Sequence, residues 1–120
     1  MLIGELAART GASRRSLRYY EEQGLLTSIR GGNGYREYEE PAIDTVRRIR
    51  ALLAAGLPTD AIRQALPCVR DASPRLEPCP ELVERLRGEM HRMDAAAAEL
   101  AHSRDLIARM LTDAGVPLAG

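Results

Sequence analysis

Apolar residues recur at helical spacing near the start of the chain, and glycines separate the periodic stretches. The stretch IGELAART carries its apolar side chains on one helical face, and Gly11 follows as a helix-ending residue. Ser13 is a favourable N-cap for a second helix that runs to about Glu22 and ends at Gly24. Two short helices joined by a glycine turn predict a helix-turn-helix motif.

The helical period disappears between Leu25 and Glu39. There RGGNGYREY contains the turn signals GG and NG between alternating side chains, which predicts a two-stranded hairpin. We interpret this hairpin as a wing.

Helical periodicity returns after the hairpin. The stretch EEPAIDTVRRIRALLAAG has Pro41 near its first helical position and Gly56 at its end. One apolar stripe of this helix comprises Ile43, Val46, Ile49, Leu52 and Leu53. A further short helix is expected from Pro58 to Leu66, and the proline-rich segment PCVRDASPRLEPCP predicts a loop.

The last periodic stretch is long and free of proline from 81 to 112. Steps of three and four place one seam of residues on the same helical face, as in a coiled coil, with a charged interruption at Arg104. The apolar members are Val83, Leu86, Met90, Met93, Ala97, Leu100, Ile107 and Leu111. A helix roughly 50 Å long cannot bury such a seam against so small a domain. A second copy is the expected partner, and folding back onto the first half is the alternative.

These elements predict a mainly α protein with a winged helix-turn-helix domain and a long dimerisation helix. The expected divisions are 1–68 for the winged domain, 69–79 for a linker loop, 80–112 for the dimerisation helix and 113–120 for a short tail.

Charge is distributed unevenly along this chain of 120 residues, although its formal net charge is zero. Over 13–36, five arginines stand against two glutamates, a local charge of +3. On the second helix, Arg14, Arg15, Arg18 and Tyr19 share one face, and Leu17 and Tyr20 point the other way. Guanidinium groups match both phosphate oxygens and the guanine edge, so this face predicts DNA binding.

A solvated arginine face paired with Glu21 and Glu22 is the structural alternative. The hairpin favours DNA because Tyr35, Arg36 and Tyr38 repeat the same chemistry at a second place. An interaction module with a coiled coil and no DNA binding is the alternative function. Such a docking surface would expose more apolar area.

Enzymatic chemistry and membrane insertion find no support in the sequence. We find no carboxylate pair with a supporting base, no nucleophile elbow and no phosphate loop, because RGGNGY lacks the following Lys-Ser or Lys-Thr. No run approaches the roughly 18 apolar residues of a membrane span, and no signal peptide is evident. We expect a cytoplasmic protein that is not an enzyme and needs no cofactor.

The two cysteines, Cys68 and Cys79, are too few for a disulfide framework. Cys79 precedes Pro80, close to the N-cap of the long helix, where the helix dipole favours a thiolate. Three interpretations are open: a reversible disulfide or other thiol modification, two structural residues without a sensing role, and a metal ligand. His91 and His102 lie three helical turns apart and cannot share one ion.

The order and spacing of three stretches resemble the MerR family of bacterial transcription regulators. They are IGELAARTGASRRSLRYYEEQGLL, GYREY and AIDTVRRIRALLAAGLPTDAIRQAL, within 1–66, followed by a long helix like the dimerisation helix of that family. The resemblance implies that Ser13, Arg14 and Arg15 face the major groove and that Arg18 and Tyr19 hold phosphates. It also implies that Tyr35, Arg36 and Tyr38 hold the DNA backbone through the wing.

Further expectations come with this resemblance. The family forms antiparallel coiled-coil dimers on pseudo-palindromic promoters with an overlong spacer, and it activates RNA polymerase by bending and untwisting that spacer. Pro58 departs from the family, which often has a serine or threonine there, so a hydroxyl contact is expected to be lost. Metal-sensing and iron-sulfur members carry cysteines after the dimerisation helix, and DAGVPLAG has none.

Overall fold

The structure is a computed structural model of the chain, and it describes residues 1–32, 34–69, 77 and 79–119. The chain divides into two compact units, Met1–Val83 and Glu84–Gly120. Asn33 of the predicted turn lies outside the described residues, as does most of the predicted linker 69–79. In the described ranges, no helix is both long enough and apolar enough to cross a membrane.

Two short helices open the first unit. Helix α1 spans Ile3–Thr10 and ends at Gly11, whose φ of 78° is left-handed and therefore suits a residue without a side chain. Helix α2 spans Arg14–Glu22, and the Ser13 hydroxyl caps it by accepting the Ser16 N–H at 3.0 Å. The predicted helix-turn-helix is therefore present.

An antiparallel hairpin follows, formed by β1 (Ile29–Arg30) and β2 (Arg36–Glu37). Ile29 pairs with Glu37, and Arg30 pairs with Arg36. Just after β2, the Tyr38 N–H donates to the carbonyl of Met1 at 2.7 Å. This bond fixes the hairpin beside the start of α1.

Helix α3 spans Pro41–Ala54 and supplies much of the core. Four members of the predicted apolar stripe, Ile43, Val46, Ile49 and Leu52, are buried, and the fifth, Leu53, is 40% exposed. Leu53 lies on the last turn of α3. The period of a helix specifies a face, but it does not specify how far the neighbouring elements cover that face.

Helix α4 spans Thr59–Ala65 and continues into a 3₁₀ turn, Leu66–Cys68. Ala61, Ile62 and Ala65 are buried. The helix begins and ends close to the limits that the sequence predicted, because Pro58 precedes it and Pro67 interrupts the α-helical hydrogen bonding.

Arginines of α3 and α4 cap the ends of the first two helices. Arg50 Nη1 donates to the Thr10 carbonyl at 2.6 Å, and Arg63 Nε donates to the Gln23 carbonyl at 2.9 Å. The last carbonyls of a helix have no partner within it, so these arginines satisfy acceptors that would otherwise need water. Both guanidinium groups therefore hold helices of the first unit together by hydrogen bonds.

Helix α5 spans Pro80–Asp113 and contains 34 residues, which corresponds to roughly 50 Å. Its first turn belongs to the first unit, where Leu82 is fully buried. In the second unit, large apolar residues of the predicted seam are exposed: Met90 by 63%, Leu100 by 73% and Ile107 by 58%. Most of the seam is therefore not buried by the chain itself.

Candidate nucleic-acid interface

Helix α2 separates an apolar face from a cationic one. Leu17 and Tyr20 are buried at 0% and 6% exposure. The opposite face presents four exposed side chains, those of Arg14, Arg15, Arg18 and Tyr19. This division follows from the helical period of the sequence, and it directs three guanidinium groups outward.

Arg14 lies against the backbone of α1. A Cβ atom placed on Gly4 would be only 2.7 Å from Arg14 Nη2. The absence of a side chain at Gly4 therefore allows the guanidinium to lie over the first turn of α1. The starts of α1 and α2 form one continuous surface as a result.

The outward phenol of Tyr19 is held by helix α4. Its hydroxyl lies 3.2 Å from Thr59 Oγ1, within hydrogen-bond distance. Pro58 occupies the N-cap position and offers no side-chain bond. A hydroxyl is present one residue after Pro58, at Thr59, where it contacts Tyr19. The sequence analysis did not single out Thr59.

The hairpin contributes two exposed side chains to the same region. Tyr35 is 66% exposed. Arg36 is also exposed, and its Nε lies 3.3 Å from Glu21 Oε2 of α2. Glu21 therefore links the hairpin to the second helix, a role that the sequence analysis missed when it considered Glu21 only as a counter-charge.

Tyr38 lies in the core and not on the surface. It is 2% exposed, and its hydroxyl donates to Glu21 Oε1 at 2.9 Å. Burial, followed by the hydrogen bond and the charge of Glu21, raises the pKa of Tyr38 from 10.0 to about 12. The structure corrects the expected placement of Tyr38: it supports Glu21 from inside, because the chain after β2 turns toward α1.

A groove of about 1000 Å³ runs between the starts of the helices and the hairpin. We call it the arginine groove, because four arginines line it: Arg14, Arg18, Arg30 and Arg36. Tyr35 lines it as well, and Glu5 contributes a carboxylate. Arg30 was counted in the local charge but was not predicted as a site residue. The excess of guanidinium groups makes this concave surface suitable for an anion such as a phosphate backbone.

The remaining predicted N-terminal contact, Ser13, is exposed at the start of α2. Its hydroxyl donates to Ser16 Oγ at 2.9 Å in addition to accepting the backbone bond of the cap. Arg15, two residues after Ser13, is also exposed, but it does not line the arginine groove.

The two cysteines also belong to the first unit. Both are free and partly exposed. Their side chains are neighbours, and Cys79 is one of the causes, after burial, that raise the pKa of the Cys68 thiol. No group of three or more metal-binding side chains occurs among the residues that the structure describes.

Comparison with known proteins identifies relatives of this chain. Residues 1–67 match the model of the MerR HTH family of regulatory proteins. The nodulation protein NolA of Bradyrhizobium sp. (strain NC92) is 35% identical over 115 residues, which are 95% of this chain and 44% of NolA. The transcriptional regulator HmrR of Rhizobium leguminosarum bv. viciae is 37% identical over 71 residues, 59% of this chain and 55% of HmrR. The chain spans about half the length of these curated relatives.

A solved structure supports the same assignment. The lead(II) complex of the transcription regulator PbrR691 from Ralstonia metallidurans CH34 resembles this chain with a TM-score of 0.71 and 30% identity. The likeness covers 89% of this chain and 82% of PbrR691. Because the family match spans more than half of the sequence, this chain belongs to the MerR family of helix-turn-helix regulatory proteins.

Proposed function

We propose that this protein binds promoter DNA as a homodimer and regulates transcription. The observation that carries the proposal is the arginine groove, in which side chains of α2 and of the hairpin face one concave surface. Two elements distant in sequence thus offer cationic groups to one ligand. A duplex backbone presents phosphates at regular intervals and matches such an arrangement.

Four exposed side chains are proposed to hold phosphates: Arg18, Tyr19, Tyr35 and Arg36. Two of them are fixed before DNA arrives, Tyr19 by Thr59 and Arg36 by Glu21. Side chains that are already ordered lose less conformational entropy on binding. Phosphate contacts of this kind set the position of a protein on DNA without reading its sequence.

The first turn of α2 is proposed to read base edges. Arg14 and Arg15 begin the helix, and Ser13 precedes them as its cap. A recognition helix usually meets base edges with its N-terminal residues, and a guanidinium can donate to both O6 and N7 of guanine. Tyr38, being buried, is proposed to act through Glu21 and not by touching DNA.

The long helix α5 is proposed to dimerise through its seam. Large apolar side chains such as Leu100 and Ile107 remain exposed on it. A second α5 would cover them as in a coiled coil, and the family supports an antiparallel arrangement. Two copies would then present two α2 helices to the two halves of a pseudo-palindromic site.

Regulation by distortion of the promoter follows from the same proposal. Bending a site of this size costs roughly 1–6 kcal/mol, which the phosphate contacts of both copies would offset. Untwisting an overlong spacer would bring the two promoter elements into line for RNA polymerase, in accordance with the family.

Selection of bound fragments from genomic DNA tests the proposed function. We expect enrichment of a pseudo-palindrome, and we expect DNase footprints to cover both halves of it. A stable dimer that enriches no DNA at physiological salt would contradict the proposal and favour a coiled-coil interaction module. The matched variant Arg14→Ala, Arg15→Ala should lose the enrichment while remaining dimeric.

A further inference from the structure

Two thiols meet where the DNA-binding unit passes into α5. Cys68 ends the 3₁₀ turn after α4, and Cys79 directly precedes Pro80. The side chains of Cys68 and Cys79 are neighbours, close enough for Cys79 to act on the ionisation of the Cys68 thiol, and both residues belong to the first unit. The contact does not depend on how the two units are arranged.

Main-chain hydrogen bonds also hold the backbone at both cysteines. The Glu77 N–H donates to the Cys68 carbonyl at 2.9 Å, and the Val83 N–H donates to the Cys79 carbonyl at 2.9 Å. The first bond holds Glu77, two residues before Cys79, beside Cys68. The second makes Cys79 the start of the α5 hydrogen-bond ladder.

The electrostatics of the pair give the two thiols different roles. Burial, then the neighbouring Cys79 and the Glu77 carboxylate, raise the pKa of the Cys68 thiol. The raised pKa keeps the proton on the Cys68 thiol at neutral pH, so we assign Cys68 to the second step of the reaction. Both residues are accessible to a small reagent because they are partly exposed.

We propose that Cys68 and Cys79 form a reversible intramolecular disulfide when the protein meets a hydroperoxide. The Cys79 thiolate attacks one oxygen of the hydroperoxide, the O–O bond breaks, and the other oxygen leaves as an alcohol or as water. Cys79 is then a sulfenic acid. The Cys68 sulfur attacks the Cys79 sulfur, the S–O bond breaks, and the hydroxyl leaves as water with the Cys68 proton. Two thiols and one hydroperoxide thus give one disulfide, one alcohol and one water.

The disulfide joins the end of the α4 turn to the residue before α5. It joins the two neighbouring thiols by a covalent bond at the point where α5 leaves the first unit. A dithiol reductant reverses it by thiol-disulfide exchange. Any effect of this bond on promoter binding rests on the proposed function.

Mass spectrometry of the full chain tests the disulfide without DNA. The reduced protein is exposed to stoichiometric hydrogen peroxide and then to iodoacetamide. We expect a loss of two hydrogen atoms, no alkylation, a peptide linking the two cysteines, and reversal by dithiothreitol. Two alkylated thiols after the peroxide step, or disulfide-linked pairs of chains in place of the internal bond, would overturn the inference.

Single variants assign the roles of the two thiols. Cys68→Ser should leave Cys79 to accumulate a sulfenic acid that dimedone traps, and Cys79→Ser should leave Cys68 unreacted at the same dose. The opposite pattern would contradict the assigned order of attack. If the disulfide forms but the reduced protein binds no genomic DNA, the proposed function fails and the thiol site stands. If DNA is bound and no disulfide forms, only the thiol inference fails.

Discussion

Arginine has two different uses in the first unit, and the surroundings of each side chain decide which one applies. Arg50 and Arg63 donate to the last carbonyls of other helices, so their charges are used within the fold. Arg14 and Arg18 line an open groove. The tyrosines also have two uses, since Tyr38 is buried within the fold and Tyr35 is exposed at the groove.

The two hairpin tyrosines therefore give opposite predictions. Tyr38→Phe removes a donor to the Glu21 carboxylate, and we expect the free energy of unfolding to fall by about 1–3 kcal/mol. Tyr35→Ala should leave that free energy nearly unchanged and weaken DNA binding. Urea denaturation and fluorescence anisotropy on a selected duplex measure the two quantities. If Tyr35→Ala destabilised the fold as much as Tyr38→Phe, this division would be wrong.

Tyr38 also makes stability depend on alkaline pH. Its pKa is 10.0 in ordinary surroundings and about 12 in the fold. Below the lower value the phenol is neutral in both states and its contribution is complete. Between the two values the unfolded chain releases the proton first, so stability falls by about 2–3 kcal/mol as the pH rises. Urea denaturation at several pH values in this range measures the free energy of unfolding. It should fall less steeply with pH for Tyr38→Phe than for the matched control Tyr35→Phe. Equal slopes in the two variants would contradict the linkage.

Two glycines provide a matched pair for the groove. An alanine at Gly4 would place its Cβ 2.7 Å from Arg14 Nη2, whereas nothing lies within 4 Å at Gly88 of α5. We expect Gly4→Ala to displace the guanidinium and lower DNA affinity, and Gly88→Ala to raise helix stability by about 0.5–1 kcal/mol without changing affinity. Binding and thermal denaturation of both variants decide this. Unchanged affinity of Gly4→Ala would mean that the position of Arg14 over α1 does not matter.

At the scale of elements, the helices differ in how far their own chain buries them. Four stripe residues of helix α3 are buried and Leu53 is exposed, whereas no seam residue of α5 is buried and three large ones are exposed. A helix of 34 residues packed this sparsely is stabilised mainly by whatever covers its apolar face. The seam is consequently the element that most needs a second copy.

Two leucines of α5 test the seam. Leu100 lies on it and is 73% exposed, whereas Leu106 lies off it and is 40% exposed. Leu100→Asp should dissociate the dimer, because the carboxylate would be buried there without a partner. Leu106→Asp should leave the dimer intact. Light scattering at micromolar concentration measures both, and a monomeric wild type would refute the dimer altogether.

At the scale of the whole molecule, the proposed DNA binding combines backbone contacts that any duplex offers with contacts that depend on sequence. Arg18→Ala and Arg36→Ala should weaken binding to specific and random duplexes alike. Each lost phosphate contact should make the slope of log affinity against log salt shallower by about 1. Changes at Arg14 or Arg15 should instead alter the preferred sequence.

A charge-matched variant controls for the loss of positive charge. Arg87 of α5 is exposed and pairs with Glu84 at 2.9 Å. Arg87→Ala should leave the salt slope unchanged, because no phosphate contact is proposed there. Anisotropy titrations over a salt series measure all these variants. A uniform loss for every arginine, Arg87 included, would refute the division into positioning and reading residues.

The sequence by itself determined the elements and their faces. Ser13 as a cap, Gly11 as a stop, and the outward direction of Arg14 and Arg18 depend on interactions within a few residues. Such interactions repeat with the period of a helix and can be read from the order of the residues. The extent of α5 followed from the same periodicity, whereas the hairpin followed from turn signals between alternating side chains.

Only the tertiary structure decided which polar groups meet across the chain. Glu21 holds Arg36 and Tyr38, Thr59 holds Tyr19, and the Cys68 thiol meets Cys79. Tyr35 and Tyr38 look alike in sequence, yet their exposures are 66% and 2%. Most of these contacts join different elements, and the loop between the cysteines carries no periodic pattern. Each depends on how the backbone turns and packs, which local periodicity does not encode.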